Sequence, residues 1–300
     1  MRAYGFTAIG GPEQEAFLDV PEPAPGPGQL LLQVRAAGVN PGDVRMREGG
    51  YGVPPPAVLG REVAGTVIQT GPEVRGFTDG DEVFGGCPDM IGGFAPVALV
   101  TASFAAHRPA GLAPEGAATL PVASGTAWDA LTGLALPPGA TVLVNGAGGG
   151  VGGAFVQLAV ARGLRVVGVA SPGKHDLLAG WGAVPVAYGD GLPERVRAAA
   201  PDGIDGLLDM VGGAALRSVA GFVAPQRLRS VADKPLAKQL GGGEVVRDRS
   251  TPVLTELARL VADGALDPRV TQVLPFVEAP AAMRAVEAGH TEGKVALALR

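Results

Sequence analysis

The residues best placed to do chemistry lie in a glycine turn, GAGGGVGG, at 146–153. Bare backbone in such a turn can approach a pyrophosphate. A helix starting behind it offers unpaired N–H groups and the positive end of its dipole. The turn can be read in two registers. Gly148, Gly150 and Gly153 match G-x-G-x-x-G literally, and Ala147, Gly149 and Gly152 match the variant that begins with alanine. The second is preferred, because it sits one residue closer to the preceding strand and leaves Gly152 to pack against it. Gly149, Gly150, Val151 and Gly152 then form the segment that faces a phosphate. Further on, residues 169–174 read VASPGK. A fold selecting NAD carries an Asp or Glu at this strand end, for the ribose hydroxyls. Here stand a small hydroxyl, Ser171, and Lys174, one of only four lysines (174, 234, 238, 294). A hydroxyl and an ammonium suit a 2′-phosphate dianion, which points to NADPH; the alternatives are a solvated surface lysine at a helix start and the use of NAD or of both nucleotides.

These residues need a strand before the turn and a helix after it. Thr141–Val144 is short, apolar and β-branched, as a buried parallel strand should be, and Ala154–Ala161 has helical length. Further strands are expected at Arg165–Ala170, Val184–Ala187, Ile204–Met210 and Leu228–Ala232, with helical segments between them. This alternation predicts a doubly wound parallel sheet, with GGGE at 241–244 as a linker. The segment before it, PEGAATLPVASGTAWDALTGLA, reads as helical with a break at Pro121. Residues 1–112 read instead as many short strands with Gly/Pro turns, a partly closed β-barrel-like domain. Within it Asp43 is expected to cap a short helix, Val44–Arg47. The tail carries a helix at Pro252–Asp263, a strand at Val270–Phe276, a helix at Ala279–Glu287 and a strand at Lys294–Leu299. Periodicity leaves open whether this tail extends the nucleotide sheet or returns to the first domain.

Composition narrows the class. Hydrophobic residues make up 47% and charged residues 18% of the chain, enough for a sizeable core. A net charge of −5 with no basic stretch argues against a nucleic-acid partner. A single cysteine, Cys87, rules out a disulfide framework or a four-cysteine zinc site within one chain, and the three histidines (107, 175, 290) lack ligand-like spacing. The N-terminus has no signal-like apolar core, and no apolar run of about 18 residues occurs. The expectation is a soluble cytoplasmic protein that does not engage a membrane.

Eight strings in order resemble the medium-chain dehydrogenase/reductase superfamily, and most closely its zinc-independent quinone oxidoreductase, or zeta-crystallin-like, branch. Besides the glycine turn they are AAGVNPGD (36–43), VLGREVAGTV (58–67), GDEVFG (80–85), GGFAPVALV (92–100), LPVASGTAWDAL (120–131), IDGLLDMVGG (204–213) and EGKVALAL (292–299). The resemblance implies an α/β protein with a β-rich GroES-like catalytic domain, 1–112 plus 247–300, and a Rossmann nucleotide domain, 113–246. It also implies a cleft between the domains with the nicotinamide at its floor, and commonly a homodimer.

Residue by residue, the resemblance places Thr126 beside the nicotinamide, although its hydroxyl could instead bond within its own helix. It pairs Lys174 with Tyr188 at the phosphate end, and sets Val211 and Val231 at the carboxyl edge, for backbone contacts to ribose and nicotinamide. Asn40 and Asp43 match a V-N-x-x-D loop. Asn40 could bond cofactor or substrate carbonyl, or merely sit in a turn with Asp43 as a helix cap. Tyr51 stands where relatives carry an active-site tyrosine, able to donate to a developing enolate or hydroquinone oxygen or else to cover apolar surface. Where relatives often have a second aromatic, this chain has Arg45 and Met46. Zinc members place a cysteine where Asn40 stands and a histidine where Arg61 stands. Arg61 is therefore read as structural, paired with Glu62 or Asp43, and Trp128 and Trp181 as core. The implied activity is NADPH-dependent hydride transfer to a quinone or other small conjugated carbonyl, without zinc. The alternatives are an enoyl or 2-alkenal double-bond reductase, including one of secondary metabolism, and a non-catalytic NADPH-binding protein.

Overall fold

The computed structural model describes residues 1–289 and 291–299, so His290 lies outside the described residues. Strand β1 (Arg2–Phe6) pairs antiparallel with β2 (Glu15–Asp19). The long β3 (Gln29–Val39) leads into helix α1 (Pro41–Arg47). Then follow β4 (Ala57–Val58), which pairs with β1, β5 (Glu62–Thr70), β6 (Glu82–Gly86), β7 (Val97–Thr101) and β8 (Ala105–His107). Strands β3, β5, β6 and β8 are neighbours in one antiparallel sheet, and β7 also pairs with β3. Helix α1 starts earlier than expected. Asn40 is its N-cap and Asp43 its third residue, so the Asp43 carboxylate reaches back to the Asn40 N–H at 2.8 Å rather than capping the helix itself.

A short helix α2 (Pro114–Ala117) and a single π turn, Leu120–Ser124, lead into α3 (Gly125–Leu134), so the break expected at Pro121 is a π turn. The parallel sheet comes next: β9 (Thr141–Asn145), α4 (Gly150–Ala161), β10 (Arg165–Ala170), α5 (His175–Gly180), β11 (Val184–Ala187), α6 (Leu192–Ala199), β12 (Gly206–Asp209), α7 (Gly213–Val219), β13 (Leu228–Ser230), α8 (Lys234–Gln239) and β14 (Gly243–Glu244). Their spatial order, β11-β10-β9-β12-β13-β14, is that of a doubly wound dinucleotide fold. The expected glycine linker at 241–244 is in part a strand: Gly243 and Glu244 pair in parallel with Arg229 and Ser230. Pairing needs only backbone, and the glycines supply it.

The tail forms α9 (Thr251–Ala262), β15 (Val270–Pro275), α10 (Ala279–Glu287) and β16 (Lys294–Ala298). It returns to the first sheet. β16 pairs antiparallel with Ala36–Val39 of β3, and β15 pairs in parallel with β16. The long β3 thus serves β5, β7 and β16. Around it Tyr4, Phe6, Leu32, Val63, Phe94, Met283 and Leu297 close one core.

Contacts divide the chain into two compact units, 1–122 with 249–264 and 268–300, and 123–248 with 265–267. Residues 113–122, read from the sequence as the start of the nucleotide domain, sit in the β-rich unit. There α2 packs on β3 and β5, and the Val122 N–H donates to Glu62 Oε2 at 2.6 Å. Among the described residues no helix is long and apolar enough to cross a membrane.

Candidate active site

In the nucleotide unit the sequence-preferred register has a steric basis. A Cβ on Gly152 would stand 2.2 Å from the Gly146 carbonyl oxygen and 2.8 Å from Ala147 Cα, so only glycine fits where the helix meets the turn. Gly149 is the N-cap of α4, and a Cβ there would meet nothing closer than 3.7 Å. The first-turn N–H groups of Gly150, Val151 and Gly152 have no partner within the helix and flank that open face. Lys174 lies over the turn. Its alkyl stem occupies the space beside Gly148, and its ammonium donates to the Gly148 carbonyl at 3.1 Å. Ser171 is exposed at the end of β10.

Asp209 organises the carboxyl edge of the sheet. Fully buried, its carboxylate accepts from Asn145 Nδ2 at 2.7 Å, Ser230 Oγ at 2.6 Å and the Val211 and Gly212 N–H groups at 3.1 Å. One side chain thus ties the ends of β9, β12 and β13. The Val231 N–H donates to the Asp209 carbonyl at 2.9 Å, so the N–H groups of Val211 and Val231 are both already bonded to Asp209. Burial, with the nearby Asp209 charge, pushes the Tyr188 phenol up to about 12, keeping it a neutral donor. Thr126 is 4% exposed, and its hydroxyl accepts from Arg247 at 2.5 Å. Arg247 also donates to Asp129 at 2.7 Å. Nothing in the sequence signals Arg247, which lies 121 residues from Thr126. The two tryptophans expected in the core are half-buried, with Arg162 stacked 4.4 Å over Trp128 and the edge of Trp181 filling the space that Gly153 leaves.

In the β-rich unit Asn40 is committed inward. Its amide donates to Glu62 Oε1 at 2.9 Å and to the Gly38 carbonyl at 3.3 Å, and its oxygen accepts from Lys294 Nζ at 2.5 Å. Glu62 is fully buried and pairs with Lys294 at 3.3 Å. Asp43, also buried, accepts from the Asn40 and Gly60 N–H groups. Desolvation pushes its carboxyl up to about 7, against the opposing charge of Arg61. Among the described residues Arg61 makes no ion pair within 4 Å with Glu62 or Asp43, whose oxygens bond other groups, though its charge reaches Asp43. Its guanidinium instead sits 4.7 Å over the Tyr51 ring. Tyr51 is 47% exposed. Both line a cavity of about 500 Å³ within this unit, whose walls include Met46, Val53, Cys87 and Phe104. Burial pushes the Cys87 thiol up, so it stays protonated.

Two sequence profiles match the chain, one described as an alcohol dehydrogenase GroES-like domain over 26–118 and one as a zinc-binding dehydrogenase over 181–297. Human mitochondrial NAD(P)H oxidoreductase RTN4IP1 is 30% identical over 326 residues, covering 90% of this chain and 82% of that protein. The chain belongs to the medium-chain dehydrogenase/reductase family. Polyketide synthase GfsB of Streptomyces halstedii is 35% identical over 292 residues, 90% of this chain, which spans 5% of that protein's length. The quinone oxidoreductase of Coxiella burnetii superposes with a TM-score of 0.90 at 26% identity, covering 100% of this chain and 99% of that one.

The family's dinucleotide fits the nucleotide unit. The Gly149 face is open to a pyrophosphate, and Lys174 lies beside it. The family's zinc does not fit the residues present. A guanidinium has no lone pair to give a metal, the Asn40 amide oxygen is already held by Lys294, and a thiol held protonated is a poor ligand. Among the described residues no three His, Cys, Asp or Glu side chains group as a metal site.

Proposed function

We propose that this chain is an NADPH-dependent reductase that passes a hydride to a conjugated carbonyl acceptor, a quinone or an enone, without a catalytic metal. One observation supports the reading: the two positions that the resemblance aligns with zinc ligands hold a guanidinium, Arg61, and an amide, Asn40, that is committed to Glu62 and Lys294. An acceptor handled here must already be electrophilic, as conjugation makes it. NADPH, when bound, supplies the hydride. The chain's own residues bind, orient and shield. The start of α4 holds the pyrophosphate, and Lys174 with Ser171 meets the 2′-phosphate, Tyr188 lying nearby. Asp209 fixes the loops whose Val211 and Val231 carbonyls orient the ribose and nicotinamide. Met46, Val53 and Phe104 keep water from the acceptor, and the Tyr51 phenol donates to the oxygen that gains charge. The names of the Coxiella and human relatives support the reductase class.

The test is oxidation of NADPH and NADH with 1,4-benzoquinone, 9,10-phenanthrenequinone and the enone 1-octen-3-one. The expected result is faster loss of NADPH than NADH, with turnover of the quinones. Preference for the enone would move the protein to the double-bond reductases. Tight NADPH binding with no oxidation by any acceptor would refute the enzymatic reading.

A further inference from the structure

Arg61 is a buried cation that makes no ion pair within 4 Å among the described residues, Asp43 acting on it only from farther away. It is 8% exposed, yet Glu62 is spent on Lys294, Asn40 and the Val122 N–H, and Asp43 on the Asn40 and Gly60 N–H groups. Its Nε has no hydrogen-bond partner among the described residues. Burying a guanidinium costs free energy unless its donors are met. The protein nevertheless packs it closely. Tyr51 lies under it, and its Nη1 occupies the space a Cβ on Gly42 would need, 2.1 Å from that position. Arg61 lines the 500 Å³ cavity, where Thr101 and Ser103 also stand. At the exposed parts of the lining an arginine, Arg249, accompanies one acid, Asp89.

We infer that Arg61 anchors an acidic acceptor: the substrate carries a carboxylate remote from its reducible bond, and this guanidinium binds it inside the cavity of the β-rich unit. The planar fork of an arginine matches a carboxylate with two parallel hydrogen bonds, and one buried guanidinium neutralises one charge. The cavity has the size of a small-molecule site, and the apolar part of its lining, Met46, Val53 and Phe104, suits a ring or short chain attached to that carboxylate. The inference rests on the reductase reading for the acceptor's fate, and not for what the cavity binds.

Binding and turnover test it separately. Benzoate and benzamide present the same ring with and without the charge. Benzoate is expected to raise the melting temperature of the wild-type protein and benzamide to leave it unchanged. Arg61→Met should abolish the benzoate shift, and Arg61→Lys, which keeps the charge and loses the fork, should reduce it. Melting of each variant without ligand shows that it is folded, and the lysine variant carries the test if the methionine variant is not. In turnover, the ratio of kcat/KM for a carboxylated benzoquinone to that for benzoquinone should fall at least about tenfold in Arg61→Met, the loss of one charge-assisted contact. Equal shifts from benzoate and benzamide, or a benzoate shift that survives Arg61→Met, would overturn the inference. Arg61-dependent benzoate binding with no acceptor reduced would refute the reductase reading and leave the anion site standing. Reduction of acceptors with no Arg61-dependent discrimination would do the reverse.

Discussion

Replacing Lys174 by methionine isolates the charge on which the choice of NADPH rests. The stem of Lys174 packs beside Gly148, so alanine would open the turn as well as remove the ammonium, whereas methionine keeps a stem of similar length. The ammonium sits 3.1 Å from the Gly148 carbonyl, at the lip of the turn, on a side chain that is half-buried. A hydrogen bond from it to a phosphate dianion contributes about 1.5–3 kcal/mol, and partial exposure favours the lower half of that range. About 2 kcal/mol corresponds to roughly a 30-fold rise in Kd or KM for NADPH, against about twofold or less for NADH, which lacks the phosphate. Raising the salt concentration should shrink the wild-type preference, because an exposed part of the pair is screened. Fluorescence titration with both nucleotides, followed by steady-state kinetics, reads the effect. Equal losses for NADPH and NADH, or a wild-type preference for NADH, would refute the assignment of Lys174 to the 2′-phosphate.

Three other perturbations follow from single contacts. Gly152→Ala should cost about 1–3 kcal/mol of stability and weaken nucleotide binding, because its Cβ would press on Gly146 and Ala147 backbone; a urea melt and a nucleotide titration check both. Lys294→Met removes the cation paired with fully buried Glu62 and should destabilise by about 3–5 kcal/mol, seen as a lower urea midpoint. Asp43 is raised to about 7 in the folded protein, so between the unfolded carboxyl range and pH 7 the native state binds more protons than the unfolded state, and this group's contribution falls as pH rises through that window. Asp43→Asn should flatten that part of the stability–pH curve, and a wild-type-minus-variant difference without a slope there would refute the assignment.

What was legible in the sequence is what local sterics dictate. The need for glycine at 152 follows from strand, turn and helix in direct succession, and the preferred register is the one with Gly149 at the cap. The βα alternation was readable for the same reason, since each unit is complete within about 30 residues. What stayed hidden depends on contacts distant in sequence. Asn40 reads as a residue free to touch a ligand, and its partner Lys294 is 254 positions away. Thr126 reads the same way until Arg247 takes its hydroxyl. Arg61 reads as half of an ion pair because acids stand near it in sequence, but other partners already hold them. The GGGE stretch at 241–244 reads as loop because glycine marks loops, although a parallel edge strand asks only for backbone donors and acceptors.

Both units build their loops on a buried carboxylate. Asp209 gathers Asn145, Ser230 and two backbone N–H groups, and Glu62 gathers Asn40, Lys294 and the Val122 N–H. A carboxylate can accept from several directions at once, so it fixes several strand ends without needing a ligand. The side chains and backbone that these acids engage already have partners, Asn40 most clearly. On the proposed reading, ligand contacts then fall to the start of α4, the carbonyls of Val211 and Val231, the ammonium of Lys174 and the guanidinium of Arg61. Carboxylates set the geometry in each unit, and on the proposed reading cations meet the charge of what binds. On that division, replacing Asp209 or Glu62 should lower stability together with function, whereas replacing Lys174 or Arg61 should change which nucleotide or acceptor is preferred.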